Sequence, residues 1–509
     1  MDGQQEVIEF LSRAAAYGPE IGAVERIDTH ISAVFLAGTR AYKLKRAVRM
    51  PFLDFTTLEA RAAACRNELE VNRRLAPDIY LGLAAVTREE SGGLAIDGAG
   101  AVIDWLVVMR RFDQDGLFDR MAERGALTRD HMRDLAGAIA RFHADAPVRG
   151  DRGGRASMLW TIDNNARSMA PFVTGVFAAE EVERLRAAAV NALNGVSGIL
   201  ERRRQDGRVR RCHGDLHLGN VCLYEGRPTP FDAIEFSDDI ACIDVHYDLA
   251  FLLMDLDRRD LRPLASQVFN RYVELTGDAG ALAAMPLFLS CRAAIRAHVS
   301  AAAGRNQPEG RRAAYDERAR GYLARALRYL EPPPPRLVAV GGLSGSGKSR
   351  LAGGLAPFVG AAPGALVVRT DVIRKRLSGR PPEARLGAES YTPEMTDQTY
   401  GALYAAAADA LAAGHGVIAD AVFAKPEQRQ AIEDVARKAG VPFTGLWLEA
   451  PAEVMMERVA NRRANASDAT VEVVRGQLDY DIGPMTWRRI DSSGAQGDSL
   501  RSARDAVGV

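Results

Sequence analysis

The sequence predicts two domains of different class, an α+β domain followed by an α/β domain on an open parallel sheet, and three observations carry the prediction. The run Glu331-Pro332-Pro333-Pro334-Pro335-Arg336 interrupts the chain, and four prolines favour an extended segment that joins neither a helix interior nor a central strand. Ahead of it, segments alternating with period two crowd the front of the chain and helical patterns dominate afterwards. Behind it, a short apolar strand passes through a glycine-rich turn straight into a helical pattern, the start of a parallel strand–helix unit. The division therefore reads 1–330, a linker 331–336, a second domain 337–491, and a tail 492–509 whose Gly, Ser and charge content predicts poor order.

At 509 residues the chain is too long for one ordinary core. Lys plus Arg equals Asp plus Glu at 66 each, so the chain lacks the overall positive field of a general nucleic-acid binder. Cys65, Cys212, Cys222, Cys242 and Cys291 have neither zinc-site spacing nor the pattern of a disulfide framework, which fits a reducing cytoplasm. The acidic start and the lack of a long uncharged apolar run predict a soluble protein without a secretory signal.

After an initial helix, residues 24–36 read as strand, loop and strand, joined by Thr29-His30-Ile31-Ser32. Ala37-Gly38-Thr39-Arg40 turns into a third strand, Ala41-Tyr42-Lys43-Leu44-Lys45, in which period two puts Ala41, Lys43 and Lys45 on one face. Lys43 either reaches phosphate oxygens from there or, like most strand lysines, faces water. Thr56-Thr57-Leu58-Glu59 has capping-box spacing, and Leu58, Ala62, Cys65 and Leu69 mark the buried face of the next helix. Glu68 borders that face and is placed to orient Lys43, with Glu70 as the competing acid. Leu83 to Thr87 and Ala101 to Met109 give two more strands, and Met109-Arg110-Arg111-Phe112 reads as a hinge. In the helical stretch that follows, Met132, Leu135, Ile139 and Phe142 form one apolar stripe, which makes His143 a packing or hydrogen-bonding residue rather than a ligand.

The stretch His213-Gly214-Asp215-Leu216-His217-Leu218-Gly219-Asn220 puts a carboxylate and a carboxamide five residues apart. That spacing suits Asp215 to accept the proton of an attacking hydroxyl and Asn220 to hold a magnesium ion on nucleotide phosphates. Val221 to Tyr224, the turn from Glu225 to Pro228, and the returning segment Pro230 to Ile234 read as a hairpin with Asn220 and Asp232 at its open end. Two oxygen ligands there, beside a third carboxylate, suit a hard cation. Ile243 to Met254 opens an apolar helix, in which Asp248 either caps the helix or fixes a neighbouring loop.

HGDLHLGN at 213–220, FDAIEF at 231–236 and DVHYDLAFL at 244–252, with the lysine strand and the Glu-bearing helix upstream, resemble the aminoglycoside phosphotransferase family. That family is a branch of the protein-kinase-like fold, and the resemblance covers roughly residues 25 to 300. It implies a bilobal kinase with Asp215 as base, Asn220 and Asp232 on magnesium, Lys43 on the ATP phosphates and Glu68 holding Lys43. One departure stands out: no G-x-G-x-x-G lies between the first two strands, so Thr29 to Ser32 must cover the phosphates in another way. The family name does not make the acceptor an aminoglycoside.

Beyond the prolines, Leu337-Val338-Ala339-Val340 runs into Gly341-Gly342-Leu343-Ser344-Gly345-Ser346-Gly347-Lys348-Ser349, which satisfies G-x-x-x-x-G-K-S from Gly342. Backbone N–H groups from Gly342 to Ser349 would cradle phosphate oxygens, Lys348 would reach the terminal phosphates and Ser349 would ligate magnesium. Ala365 to Asp371 and Gly416 to Asp420 read as strands ending in acids. At strand carboxyl ends, Asp371 is placed to act as acceptor-side base and Asp420 to sit near the metal, each with a helix N-cap as its alternative. Arg458, Arg462 and Arg463 form either a mobile lid or an exposed basic helix end.

The TDVIR stretch from Thr370, the P-loop and the arginine segment together resemble the small P-loop kinases related to polynucleotide kinase, gluconate kinase and zeta toxin, over roughly residues 336 to 480. That resemblance implies Asp371 as base and Arg462 as a lid residue. The fold expected of the whole is a protein-kinase-like bilobal domain followed by a P-loop NTPase domain. The arrangement resembles proteins described as bifunctional aminoglycoside phosphotransferase/ATP-binding proteins. Phosphoryl transfer from ATP, with Mg2+, to a hydroxyl of a small molecule is the expected activity. Two other readings stay open: a pseudokinase lobe that binds nucleotide or a metabolite, and a P-loop nucleotide switch.

Overall fold

The structure is a computed structural model that describes residues 2–50, 53–305, 307–461 and 468–509. It forms two compact units, Met1–Ser157 with Arg204–Leu252, and Met158–Arg203 with Leu253–Val509.

The first unit is built on an antiparallel sheet. Helix α1 (Asp2–Leu11) precedes β1 (Val24–Asp28), β2 (Ser32–Ala37) and β3 (Arg40–Lys45). Helix α2 (Leu58–Arg73) then leads to β4 (Tyr80–Arg88), β5 (Leu94–Ile96) and β6 (Ala101–Arg110), giving the strand order β1-β2-β3-β6-β4-β5. Alternation sorts the two faces. Phe35, Tyr42, Leu44, Leu106 and Val108 pack in one core with Val7, Ile8 and Leu11 of α1. Ala41, Val107 and Met109 pack in another with Cys65 of α2. Lys43 and Lys45 share the face of Ala41, so the same pleat that buries Tyr42 and Leu44 on the α1 side turns both lysines toward α2.

Helix α2 begins one residue later than the capping-box spacing implied. Thr57 is the N-cap and accepts from the Ala60 N–H, whereas Thr56 bonds to Asp54. The turn between β1 and β2 closes on itself: the Thr29 N–H donates to the Ser32 carbonyl at 2.8 Å, and the Ser32 N–H donates to Thr29 Oγ1 at 2.9 Å.

Further along are α3 (Arg129–Asp145), the hairpin of β7 (Val221–Tyr224) and β8 (Arg227–Pro230), and α4 (Val245–Arg258). Glu225 and Gly226 both have positive φ, 48° and 75°, as a two-residue hairpin turn of matching twist requires. The returning strand stops at Pro230, opposite Val221, and does not run on to Ile234. Asp232 has φ of 62°, outside the extended region, and that turn ends the strand.

The second unit contains α5 (Arg262–Thr276) and a five-stranded, wholly parallel sheet. Its elements are β9 (Leu337–Gly342), α6 (Lys348–Leu355), β10 (Leu366–Arg369), α7 (Thr370–Leu377), β11 (Val417–Asp420), β12 (Phe443–Glu449), α8 (Val471–Leu478), β13 (Arg488–Asp491) and α9 (Gln496–Val507). The strand order is β10-β11-β9-β12-β13. Two expectations need correction. The strand expected to reach Asp371 ends at Arg369, and Asp371 lies in the first turn of α7. The tail 492–509, expected to be poorly ordered, carries α9, whose Ala503 and Val507 join the core with Leu351, Leu355 and Ile490 while Leu500 packs against it. Spacing at 500, 503 and 507 gives one apolar helical stripe that the charged composition obscured.

The proline run is irregular and largely exposed. Compactness nevertheless divides the chain elsewhere, because the helices between Leu253 and Leu330 belong with the parallel sheet. One of those helices spans a stretch, Leu282–Arg305, long and apolar enough to cross a membrane, yet 67% of its apolar window is buried, as in a core helix.

Candidate functional site

Lys43 of β3 is buried, and its Nζ lies 2.8 Å from Glu68 Oε1 and within reach of Asp232 Oδ1. Glu68 is fully buried at 0% exposure whereas Glu70 is exposed, which decides between the two candidate acids. Lys45, also at 0%, pairs with the other oxygen of Glu68 and with Glu235. Glu68 therefore bridges two lysines that the strand pleat places on one face. Burial alone would lower the Lys43 pKa, but Asp232 and Glu68 hold it well above the ordinary lysine value. For Asp232 burial pushes upward, and the adjoining Lys43 ammonium wins, leaving the carboxyl below its usual range. Burial holds the Glu235 carboxyl above its usual range despite Lys45.

Asp215 and Asn220 come together as the spacing implied. The Asn220 Nδ2 donates to the Asp215 carbonyl at 2.9 Å and to its Oδ2 at 3.0 Å. His217 Nε2 is 3.4 Å from the same Oδ2. The Phe231 N–H donates to the Asn220 carbonyl at 2.9 Å, which ties the residue before Asp232 to the loop. Asp215 is near enough that its charge opposes ionisation of Asp232. Phe231 also meets Phe112, in the hinge stretch, edge-on at 5.1 Å between ring centroids.

Two further groups fix these loops. Asp248 accepts from the N–H groups of His213 at 3.1 Å and Gly214 at 2.8 Å, and His143 Nε2 lies 3.0 Å from it. Of the two roles open to Asp248, loop fixing is the one observed, and His143 is a hydrogen-bonding residue. Asn72, one helical turn after Glu68, accepts from the Ala233 N–H at 2.9 Å. Sequence reasoning missed Asn72, although its position at i+4 from Glu68 put it on the same face.

In the second unit the glycine loop has the conformations a phosphate cradle needs. Gly342 has φ of 139° and Gly345 of 84°, and a Cβ at Gly342 would stand 2.7 Å from the Leu448 carbonyl oxygen. Ser344, Ser346 and Gly347 complete the turn, with Gly347 as the left-handed residue before α6. Lys348 Nζ donates to the Leu343 carbonyl at 2.9 Å. The Ser344 N–H donates to Gln477 Oε1 of α8 at 2.7 Å, a contact the sequence did not signal.

Asp420 ends β11 at 4% exposure and is not a helix cap, since the next helix begins at Pro426 with Lys425 before it. Burial raises its pKa, while Arg369, Lys348 and a hydrogen bond from Ser349 pull the other way. Asp371 is not an N-cap either, that position being Arg369. Its charge reaches Arg369 and Asp420. Ser349, Asp420 and Asp371 thus meet at the carboxyl ends of adjacent strands. Arg458 donates to the Ser492 carbonyl at 2.7 Å, whereas Arg462 and Arg463 lie outside the described residues.

A lysine–glutamate pair facing the Asp215 loop, together with a parallel sheet bearing a glycine cradle, defines a protein-kinase-like phosphotransferase fold fused to a P-loop kinase fold. The chain belongs to the phosphotransferase enzyme family, which it matches over residues 24–285, and residues 337–480 match the AAA domain family. It is 30% identical over 493 residues to the uncharacterized protein Rv2004c of Mycobacterium tuberculosis (strain ATCC 25618 / H37Rv), covering 94% of each chain. The uncharacterized protein Mb2027c of Mycobacterium bovis matches to the same extent. Among solved structures, choline kinase from Cryptosporidium parvum Iowa II is 12% identical, with 64% of this chain and 95% of that one covered and a TM-score of 0.40. The gluconokinase from Sinorhizobium meliloti 1021 is 22% identical, with 34% and 95% covered and a TM-score of 0.24.

Proposed function

We propose that the chain is a cytoplasmic ATP- and magnesium-dependent phosphotransferase acting on hydroxyl groups of small molecules, and that its P-loop domain is a second kinase site. One observation carries the first part: Lys43 Nζ is held between Glu68 and Asp232, on the side of the sheet that faces the Asp215 loop. Glu68 fixes the ammonium where phosphate oxygens would meet it. Asp215, Asn220 and Asp232 offer only oxygen donors, which fits a hard cation, and Lys43 already sets a positive charge against Asp232. Magnesium bound by Asn220 and Asp232 would neutralise phosphate charge.

The chain's own residues then do the following. Asp215 takes the proton of the acceptor hydroxyl as its oxygen bonds to the γ-phosphorus, and the bond to the bridging oxygen breaks to release ADP. Lys43 steadies the charge on the phosphates, and Asp248 and Asn72 keep the two loops in register. In the second site Lys348 and the loop N–H groups would hold the triphosphate, Ser349 and Asp420 the metal, and Asp371 would act as base. The reducing cytoplasm is supported by five free, buried cysteines. Balanced charge supports a small acceptor over a polyanion.

The glycine-free, self-bonded turn from Thr29 to Ser32 favours one competing reading, a lobe that binds nucleotide without transferring phosphate. Asp215→Asn separates the two. Transfer to acceptor should fall by roughly a hundred- to ten-thousandfold, the range of general-base catalysis, with ATP binding kept. Full retention of transfer would overturn the assignment.

A further inference from the structure

Strand β10 is an edge of the parallel sheet, and its outer side is finished by a helix from the other family segment. Asn270 of α5 accepts from the Val367 N–H at 2.7 Å and donates to the Ala365 carbonyl at 3.1 Å, so its amide takes the place of a neighbouring strand. One helical turn on, Glu274 Oε1 lies 3.1 Å from Arg369 Nη1. Four helical residues rise about 6 Å and two strand residues about 6.6 Å, so the pair at 270 and 274 meets 367 and 369 in register. Arg376 adds a hydrogen bond to the Glu274 carbonyl at 3.3 Å, and Arg262 one to the Gly360 carbonyl at 2.9 Å.

Arg369 stands between two acids. Its Nη1 is drawn to Glu274, and its Nε is left 3.4 Å from Asp420 Oδ2, a long contact for an ion pair. An arginine in full contact with Asp420 would occupy the oxygens that a divalent cation needs.

We infer that Glu274 is a positioning residue for the P-loop site: it holds Arg369 back from Asp420, so that the metal demand of that site is set by a helix lying ahead of the proline run. The inference rests on the reading of Asp420 as the metal acid. It also means that a fragment beginning after the prolines lacks part of its own site.

Full-length protein titrated with ATP at a series of magnesium concentrations, by calorimetry, tests this; the P-loop component is the one weakened in Lys348→Ala. Glu274→Gln should raise the magnesium needed for half-maximal binding about three- to tenfold, the scale of one partly screened charge, with metal-free ATP binding unchanged. Arg369→Gln, alone or with Glu274→Gln, should bring the requirement to or below that of the parent. No change in Glu274→Gln, or the same rise when Arg369 is already Gln, overturns the inference. Asp420→Asn separates the two levels: if it leaves the magnesium requirement unmoved, the metal reading fails and the inference with it. If it moves the requirement while Glu274→Gln does not, only the inference fails.

Discussion

Asn72 brackets the backbone of Ala233, its Oδ1 accepting from the Ala233 N–H at 2.9 Å and its Nδ2 donating to the Ala233 carbonyl at 3.5 Å. Ala233 follows directly on Asp232, whose φ of 62° is one that a residue with a Cβ rarely adopts. Asn72 belongs to the same helix as Glu68, so one rigid element sets both the lysine's partner and the proposed metal acid.

Asn72→Ala would leave a buried N–H without its acceptor and release the Asp232 turn. A destabilisation of about 1–3 kcal/mol is expected, read as a shift in the denaturant midpoint of the full chain. Transfer at the Asp215 site should fall more steeply than binding of ATP, since the fold around Lys43 stays in place. Equal losses in both would place Asn72 in packing alone.

Lys45 and Glu235 predict a non-additive pair. Removing one partner, as in Lys45→Met, leaves a buried acid whose charge is less compensated and should cost roughly 3 kcal/mol or more. Lys45→Met with Glu235→Leu should recover most of that cost. Additive single-variant losses in a double-mutant cycle on melting would argue against the buried pair.

His415 gives the second unit a defined acid sensitivity. It is buried, its Nε2 lies 2.9 Å from the Gly364 carbonyl, and burial pushes its pKa down to about 4. Its folded pKa thus lies below its unfolded value. Between about pH 6.5 and that folded value the unfolded chain binds a proton the folded chain refuses, so stability falls as pH falls. The loss amounts to about 2 kcal/mol at pH 5 relative to pH 7. His415→Gln should flatten that limb of the melting-temperature profile; an unaltered profile contradicts the assignment.

Lys348→Ala should weaken triphosphate binding at the P-loop by roughly ten- to a hundredfold, the scale of a charge-assisted hydrogen bond. Calorimetry should show the intrinsic binding of the other site unchanged. Unchanged P-loop affinity would mean that the loop does not cradle phosphate.

Much of this site could be read from spacing. Asp215 and Asn220 sit in one loop, so local pattern pairs them; Lys43 and its acid lie in adjoining elements, but spacing leaves Glu68 and Glu70 as rivals and only burial separates them. What escaped was decided by contacts distant in sequence. Lys45 was placed on the face of Lys43 by period two, but its partner Glu235 lies 190 residues on. Asn270 and Glu274 carry no motif and act only because an edge strand comes to rest beside them. Gln477 reaches the Ser344 amide across 133 residues. The tail hides its order for a different reason: Gly, Ser and charge dominate its composition and mask the helical spacing of Leu500, Ala503 and Val507. The end of the returning strand is hidden because the positive φ of Asp232 leaves no trace in an apolar run.

The Lys43 and Asp215 site is proposed to transfer phosphate to a small hydroxyl compound. Its most direct test is mass spectrometry of a metabolite extract incubated with the full chain and isotopically labelled ATP, repeated with Lys43→Met and with Lys348→Ala. Labelled phosphate esters that vanish with Lys43→Met and persist with Lys348→Ala are the result expected. An ester profile untouched by Lys43→Met, with every labelled product following Lys348 instead, would contradict the claim.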